Sequence, residues 1–333
     1  MDWLDWHRAR YPLQEAQDVV KIVFQSMMGC GHLLADEESV TRRIASEMAA
    51  NQPDPAEPLT EPMGDYLRLN LRRAMAEGIP AAWIARLMLL TAKIAQPATR
   101  RAVYDALLAL GDADEATAAR VLDEDWLPGH SAAYHSHYAP AYRVIHASLA
   151  RAVEALRLIA ALPEKACSLI AIDGCCASGK STLAGQLAYT LDAPVARMDD
   201  FFTPHPQKTP ERLAQPGGNA DTARFREEFL TPYLMHGHAS YRPYDCHTDA
   251  LAAPVEVPAA RYCIVEGTYC LHPDMGRPYD LQLFLRVPRE TQLSRIRARS
   301  GVEMLQRFVS AWIPLEEAYF AAFGLPDGDC VSL

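Results

Sequence analysis

The chain has no surplus of positive charge. Its 32 Lys and Arg stand against 42 Asp and Glu, a formal net charge of -10 over 333 residues. A broad nucleic-acid surface needs a basic patch, so no nucleic-acid partner is expected; a small-molecule ligand needs only a few local cations. Apolar runs approaching the ~20 residues of a membrane-crossing helix are missing too, and no membrane role is expected. The start, Met1-Asp2-Trp3-Leu4-Asp5-Trp6, lacks the basic-then-apolar pattern of a secretory leader. Eight cysteines occur without a C-x-x-C pair, which fits reduced thiols in a cytoplasmic protein. Repeats and low-complexity tracts are absent. What remains is an ordinary globular mixture, half apolar and 22% charged, and long enough for two domains.

The pattern changes near residue 165. Before it, apolar residues recur at helical spacing over Leu13 to Met28, Tyr66 to Ala76, Ala81 to Ala95, Arg100 to Leu110 and Ala141 to Leu162. An all-α domain over residues 1–163 is expected. Asn51 to Pro62, rich in proline and acid, reads as an exposed loop. After Pro163-Glu164-Lys165, short apolar runs alternate with helical stretches. Ser168 to Ile172, Pro194 to Met198, Tyr262 to Val265 and Leu281 to Leu285 read as buried strands. Ser181 to Leu191, Glu290 to Arg299 and Glu303 to Trp312 read as helices. This alternation predicts an α/β domain over 166–333, a doubly wound parallel sheet covered by helices.

Gly174-Cys175-Cys176-Ala177-Ser178-Gly179-Lys180-Ser181 fits G-x-x-x-x-G-K-[ST] at every fixed position, between a predicted strand and a predicted helix. Such a loop turns backbone N–H groups onto phosphate oxygens at a helix N-terminus. Gly174, Ala177, Ser178, Gly179, Lys180, Ser181 and Thr182 are therefore the expected contacts to ATP. Lys180 reaches the β- and γ-phosphates, and the Ser181 hydroxyl ligates Mg²⁺. Two further acids fall at carboxyl ends of predicted strands, where ligands of parallel sheets bind. Asp199, in Met198-Asp199-Asp200-Phe201-Phe202, is placed to take a proton from an attacking hydroxyl or to hold Mg²⁺. Glu266, followed by Gly267, is placed to hold the metal's water shell.

Taken together, several runs resemble the uridine kinase-like branch of the nucleoside kinase and phosphoribulokinase group. They are Ile172 to Thr182, Met198 to Phe202, Pro216-Gly217-Gly218-Asn219, Ser240-Tyr241-Arg242-Pro243-Tyr244-Asp245, Val265-Glu266-Gly267 and Trp312 to Tyr319. The resemblance covers about half of the chain. It implies a P-loop kinase domain with a small lid, which transfers the γ-phosphoryl group of ATP to a hydroxyl of a uridine- or cytidine-like nucleoside. It also implies Asp199 as the base, with acceptor binding by Asp200, Asp221 and Arg242 and by the segment holding Tyr244 and His247. Lid arginines fall among Arg295, Arg297 and Arg299; Arg295 and Arg299, four apart, share a helix face that could clamp phosphates. Another hydroxyl acceptor (a sugar phosphate, pantothenate or a vitamin riboside) stays open, as does a nucleotide sensor without kinase activity.

The first half carries fewer signals. Gly29-Cys30-Gly31-His32 falls between helices, and His130, Tyr134, His135, His137 and Tyr138 cluster. The histidine spacing fits no standard metal site, and packing or surface roles are the expectation. Regulation, a cover for the active site and homo-oligomer formation all remain open for this half.

Overall fold

A computed structural model describes residues 2–31 and 36–333. His32 lies outside the described residues. The chain separates into two compact units, Met1–Ala161 and Leu162–Leu333.

The first unit is not all-α. It contains a three-stranded antiparallel sheet of Thr60–Met63, Tyr66–Asn70 and Tyr142–His146, with Tyr66–Asn70 in the middle. Two expected helices are thereby corrected. Tyr66–Asn70 is a strand, and only Leu71–Ala76 is helical, started by the Asn70 side chain, which accepts from the N–H groups of Arg72 and Arg73. The long helix expected over Ala141 to Leu162 begins at Ala150, because Tyr142–His146 pairs with Tyr66–Asn70. Both segments have apolar spacing that fits either period over a few residues, and a distant strand partner decides between them. The helices Ala16–Met28, Ala81–Ile94 and Arg100–Leu110 follow the expected periodicity, and Glu37–Ala49 is a further helix.

The second unit is built on a five-stranded parallel sheet in the order Cys330–Ser332, Leu281–Leu285, Ser168–Gly174, Tyr262–Glu266, Val195–Arg197. The strand that comes first in sequence lies in the centre, so the chain winds to one side and then to the other. Every residue of Ser168–Gly174 is buried, as a central strand covered on both faces requires. The helix Lys180–Leu191 buries Leu183, Ala184, Leu187 and Leu191. Arg289–Arg307 is one helical run broken at Gly301, whose φ of 80° no ordinary residue adopts cheaply. Because strand order reverses about Ser168–Gly174, a crevice opens beyond its carboxyl end. This is the doubly wound α/β architecture expected of the second unit.

Candidate active site

The loop leaving the central strand is held on both sides. Gly174 has φ 136°, and a Cβ there would stand 2.1 Å from the carbonyl oxygen of Leu285 on the neighbouring strand, so only glycine fits. Ser178 N–H donates to the Cys175 carbonyl at 3.2 Å, closing a turn. Ala177 (φ 57°) and Gly179 (φ 104°) both adopt positive φ. Residues of that hand beside right-handed neighbours turn successive N–H groups toward one point, an anion-binding concavity. The left-handed cost at Ala177 is of the kind found at ligand sites. Lys180, the first residue of the helix, is buried. Its ammonium donates to the carbonyls of Gly174 at 2.8 Å and Cys175 at 3.0 Å and to the Thr268 hydroxyl at 3.1 Å.

Two acids face this concavity from neighbouring strand ends. Glu266 is only 2% exposed, and its Oε2 accepts from the Ser181 hydroxyl at 3.3 Å. Asp199 lies just past the strand Val195–Arg197, on the single 3₁₀ turn Met198–Phe201. Met198 and Phe201, three apart and buried, pin that turn, so Asp199 and Asp200 project away from the core. A Cβ on Gly267 would come within 2.8 Å of the Met198 Cβ and 3.2 Å of Asp199 Oδ1, so the glycine lets the turn after Glu266 nest against Asp199. Burial raises the pKa of Glu266 above the ordinary carboxylate range; Asp199 adds to the rise, while Lys180, Ser181 and Arg197 oppose it. Asp199 keeps a surface open to water, yet sits low in the crevice with protein on most sides. That crowding raises its pKa, and Asp200 adds to it against the pull of Lys180, Arg197 and Arg299.

A third acid, missed in the sequence, lies behind the loop. Glu316 on the helix Ile313–Phe323 is buried, accepts from the Cys176 N–H at 2.9 Å and stands 3.3 Å from the Thr268 hydroxyl. Burial lifts its pKa, and Lys180 counters. The same surroundings hold the Cys176 thiol up at about 12, burial first and Glu316 next. Gln292 completes the brace, donating to the Cys176 carbonyl at 3.1 Å. Only the Cys-Cys pair in the loop, next to a strand and a buried helix, could have hinted at it.

The remaining expected residues are placed as follows. Arg295 donates to the loop carbonyls of Ala177 at 3.1 Å and Ser178 at 3.4 Å. Arg299 is exposed, lies over Phe308 and exerts its charge on Asp199. Thr182 is exposed on the first helical turn. Asp200, Asp221 and Arg242 converge on Arg224, another residue the sequence did not flag. Arg224 donates to the Asp200 carbonyl at 2.8 Å and the Arg242 carbonyl at 2.7 Å, and lies 3.8 Å from Asp221. Asp200 also accepts from the Tyr241 hydroxyl at 2.8 Å, and Asp221 caps the helix Thr222–Phe225. Tyr244 is buried, its hydroxyl donating to Asp249 and accepting from the His205 N–H at 3.1 Å. His247 is exposed on the adjoining turn.

Beside the loop a cavity of about 500 Å³ is lined by Cys175, Arg286, Arg289, Gln292, Phe320 and Leu325, among others. It opens where the strand Leu281–Leu285 ends. Its lining also includes Glu316 and Glu317, and Arg289 pairs with Glu317 at 3.3 Å.

No model of a known protein family matches the chain. Among solved structures, a possible uridine kinase from Bacillus stearothermophilus is similar over 55% of this chain and 98% of its own length, at 19% identity and a TM-score of 0.44. A deoxyadenosine kinase from M. mycoides with bound dATP is similar over 49% of this chain and 89% of its own, at 14% identity and a TM-score of 0.23. No helix among the described residues is long and apolar enough to cross a membrane.

Proposed function

We propose that the second unit transfers the γ-phosphoryl group of ATP to a hydroxyl of a small molecule, with a nucleoside of the uridine or cytidine kind as the first candidate. The observation that carries this reading is the meeting of Lys180, Ser181, Glu266 and Asp199 at one loop mouth. In it, the turned amides of Ala177 to Ser181 and the Lys180 ammonium hold the phosphates, Lys180 exchanging its bonds to the Gly174 and Cys175 carbonyls for phosphate oxygens. The cavity lined by Arg286, Arg289 and Phe320 receives the base. The donors near Ser181 are all oxygens, one hydroxyl and two carboxylates, which suits Mg²⁺ shared with phosphate and water. Ser181 and Glu266 would hold it and Asp199 lies beside them; bound there, the ion offsets charge on the β- and γ-phosphate oxygens. Asp199 accepts the proton of the attacking hydroxyl, and its raised pKa makes it a better base than an ordinary aspartate. Arg299, exposed and already acting on Asp199, faces the migrating group. The acceptor lies along Asp200, Asp221 and Arg242, which Arg224 holds in place.

The test is a screen of hydroxyl acceptors with γ-labelled ATP, with nucleosides, sugar phosphates, pantothenate and vitamin ribosides in parallel. Label transferred to a nucleoside supports the reading. Label on another acceptor alone overturns the nucleoside assignment. Tight ATP binding with no labelled product from any acceptor overturns the kinase assignment in favour of a nucleotide sensor.

A further inference from the structure

We propose that the first unit carries a separate binding site for a small organic phosphomonoester, in a cavity of about 380 Å³ lined by the cations Lys21, Arg43 and Arg143. This volume lies in the range of small-ligand pockets. The lining holds one acid, Glu47, so three cations oppose a single carboxylate. Glu47 is already engaged, since Arg143 Nη2 binds its Oε2 at 2.5 Å. Three cations against one acid make the lining electropositive, which suits an anionic ligand such as a phosphomonoester.

Two cations are poised for a ligand. Arg143 uses Nη2 on Glu47 and Nη1 on the Tyr142 carbonyl at 2.8 Å, while its buried Nε has no hydrogen-bond partner among the described residues. An N–H buried without a partner is costly, and a phosphate oxygen would relieve it. Lys21 makes no ion pair or hydrogen bond among the described residues. Crowding by protein and the Arg68 charge lower its pKa, Asp18 and Glu47 only partly offset this, and a bound dianion would add to their pull.

The rest of the wall argues for an ester over bare phosphate. Phe24, Met88 and Val144 supply a buried apolar side. The same lining holds a prebuilt polar chain. Asp18 binds His130 Nδ1 at 2.8 Å, His130 Nε2 lies 2.8 Å from the Tyr142 hydroxyl, and that hydroxyl reaches Gln25 at 2.8 Å. His130, Tyr142 and Gln25 line the cavity with orientations fixed from behind, as hydrogen-bonding specificity requires. The Gly29-Cys30 turn and the histidine cluster, unexplained in the sequence, meet here, since Gly29, Cys30, His130 and His135 all line the space. Burial raises the Cys30 thiol to about 12, which leaves it inert.

The experiment is calorimetric titration of the full chain with phenyl phosphate, inorganic phosphate, phenol and succinate, repeated in a Lys180→Ala background that weakens phosphate binding at the loop. The expected result is saturable one-site binding of phenyl phosphate that persists in Lys180→Ala and exceeds that of inorganic phosphate and phenol. Lys21→Met and Arg43→Gln should each weaken it at least about tenfold; Arg43 is exposed, so its variant keeps the fold even if Lys21→Met does not. Absence of saturable binding, preference for succinate, or affinities unchanged in Arg43→Gln would overturn the proposal.

Discussion

Both units bury acids, but they treat them oppositely. Asp18 in the first unit has no exposed surface, yet its pKa is lowered. Four donors surround it: the N–H groups of Glu15 and Ser131, the Ser131 hydroxyl and the His130 ring. Glu266 and Glu316 in the second unit receive fewer donors, share the cation Lys180, and have raised pKa values. A carboxylate with its full set of partners is a strut. One that is buried, under-supplied and close to another acid is poised for chemistry, because the balance of its charge can be completed from outside.

That contrast can be broken most sharply at Asp199 and Lys180. Asp199→Asn should leave ATP binding nearly unchanged, by calorimetry, while turnover falls roughly 10²–10⁴-fold, the usual cost of losing a general base. Lys180→Ala should abolish transfer. Full turnover in Asp199→Asn would make Asp199 a strut as well. Next in size is Asp18→Ala, which leaves buried donors unpaired and should cost about 3 kcal/mol or more of stability, read by urea unfolding. Unchanged kinase activity in that variant under native conditions would sharpen the division.

Acidification separates the units in a smaller way. His7 is buried, donates to the Pro62 carbonyl at 2.9 Å and stands beside Arg68, and burial holds its pKa down at about 4 against the ordinary 6.5. The unfolded chain therefore binds a proton that the folded one refuses. Stability should be level above about pH 6.5 and fall as pH drops toward 4, by at most about 1.4 kcal/mol per pH unit from this group. A His7→Gln variant should flatten the slope of the melting temperature against pH over that window. Turnover should also fall on the acid side, with a midpoint above that of a free aspartate, because Asp199 must be ionised to act. The smallest expected effect is Glu316→Gln, which keeps the shape but weakens the grip on the Cys176 amide. ATP affinity should drop about tenfold with little change in acceptor KM; a drop in acceptor affinity alone would move Glu316 out of the loop's support.

The loop was legible in the sequence because its requirements are local. Gly174, Gly179, Lys180 and Ser181 lie within eight residues, the glycines demanded by backbone geometry and the other two by the chemistry of phosphate and metal. The second-unit strands were legible for a similar reason, since a strand covered on both faces must be apolar throughout. Glu316 was not, because it joins Cys176 from 140 positions further along the chain and nothing local distinguishes it from Glu317. Arg224 was hidden likewise: its partners Asp200 and Arg242 lie within recognisable runs, while the arginine lies outside them. In the first unit Tyr66–Asn70 escaped because four or five residues cannot distinguish a period of 2 from one of 3.6, and its partners are Thr60–Met63 on one side and the remote Tyr142–His146 on the other.

The carboxylate behind the loop has one more effect, on chemical durability. A cysteine in a phosphate cradle invites attack, since helix N-termini and lysines ordinarily favour the thiolate. Here burial first and the acid beside Cys176 next set the opposite bias, and the sulfur stays protonated at cellular pH. Alkylating agents and peroxide should spare it, so the cradle keeps its grip through oxidative episodes that would silence an enzyme with a reactive sulfur in that place.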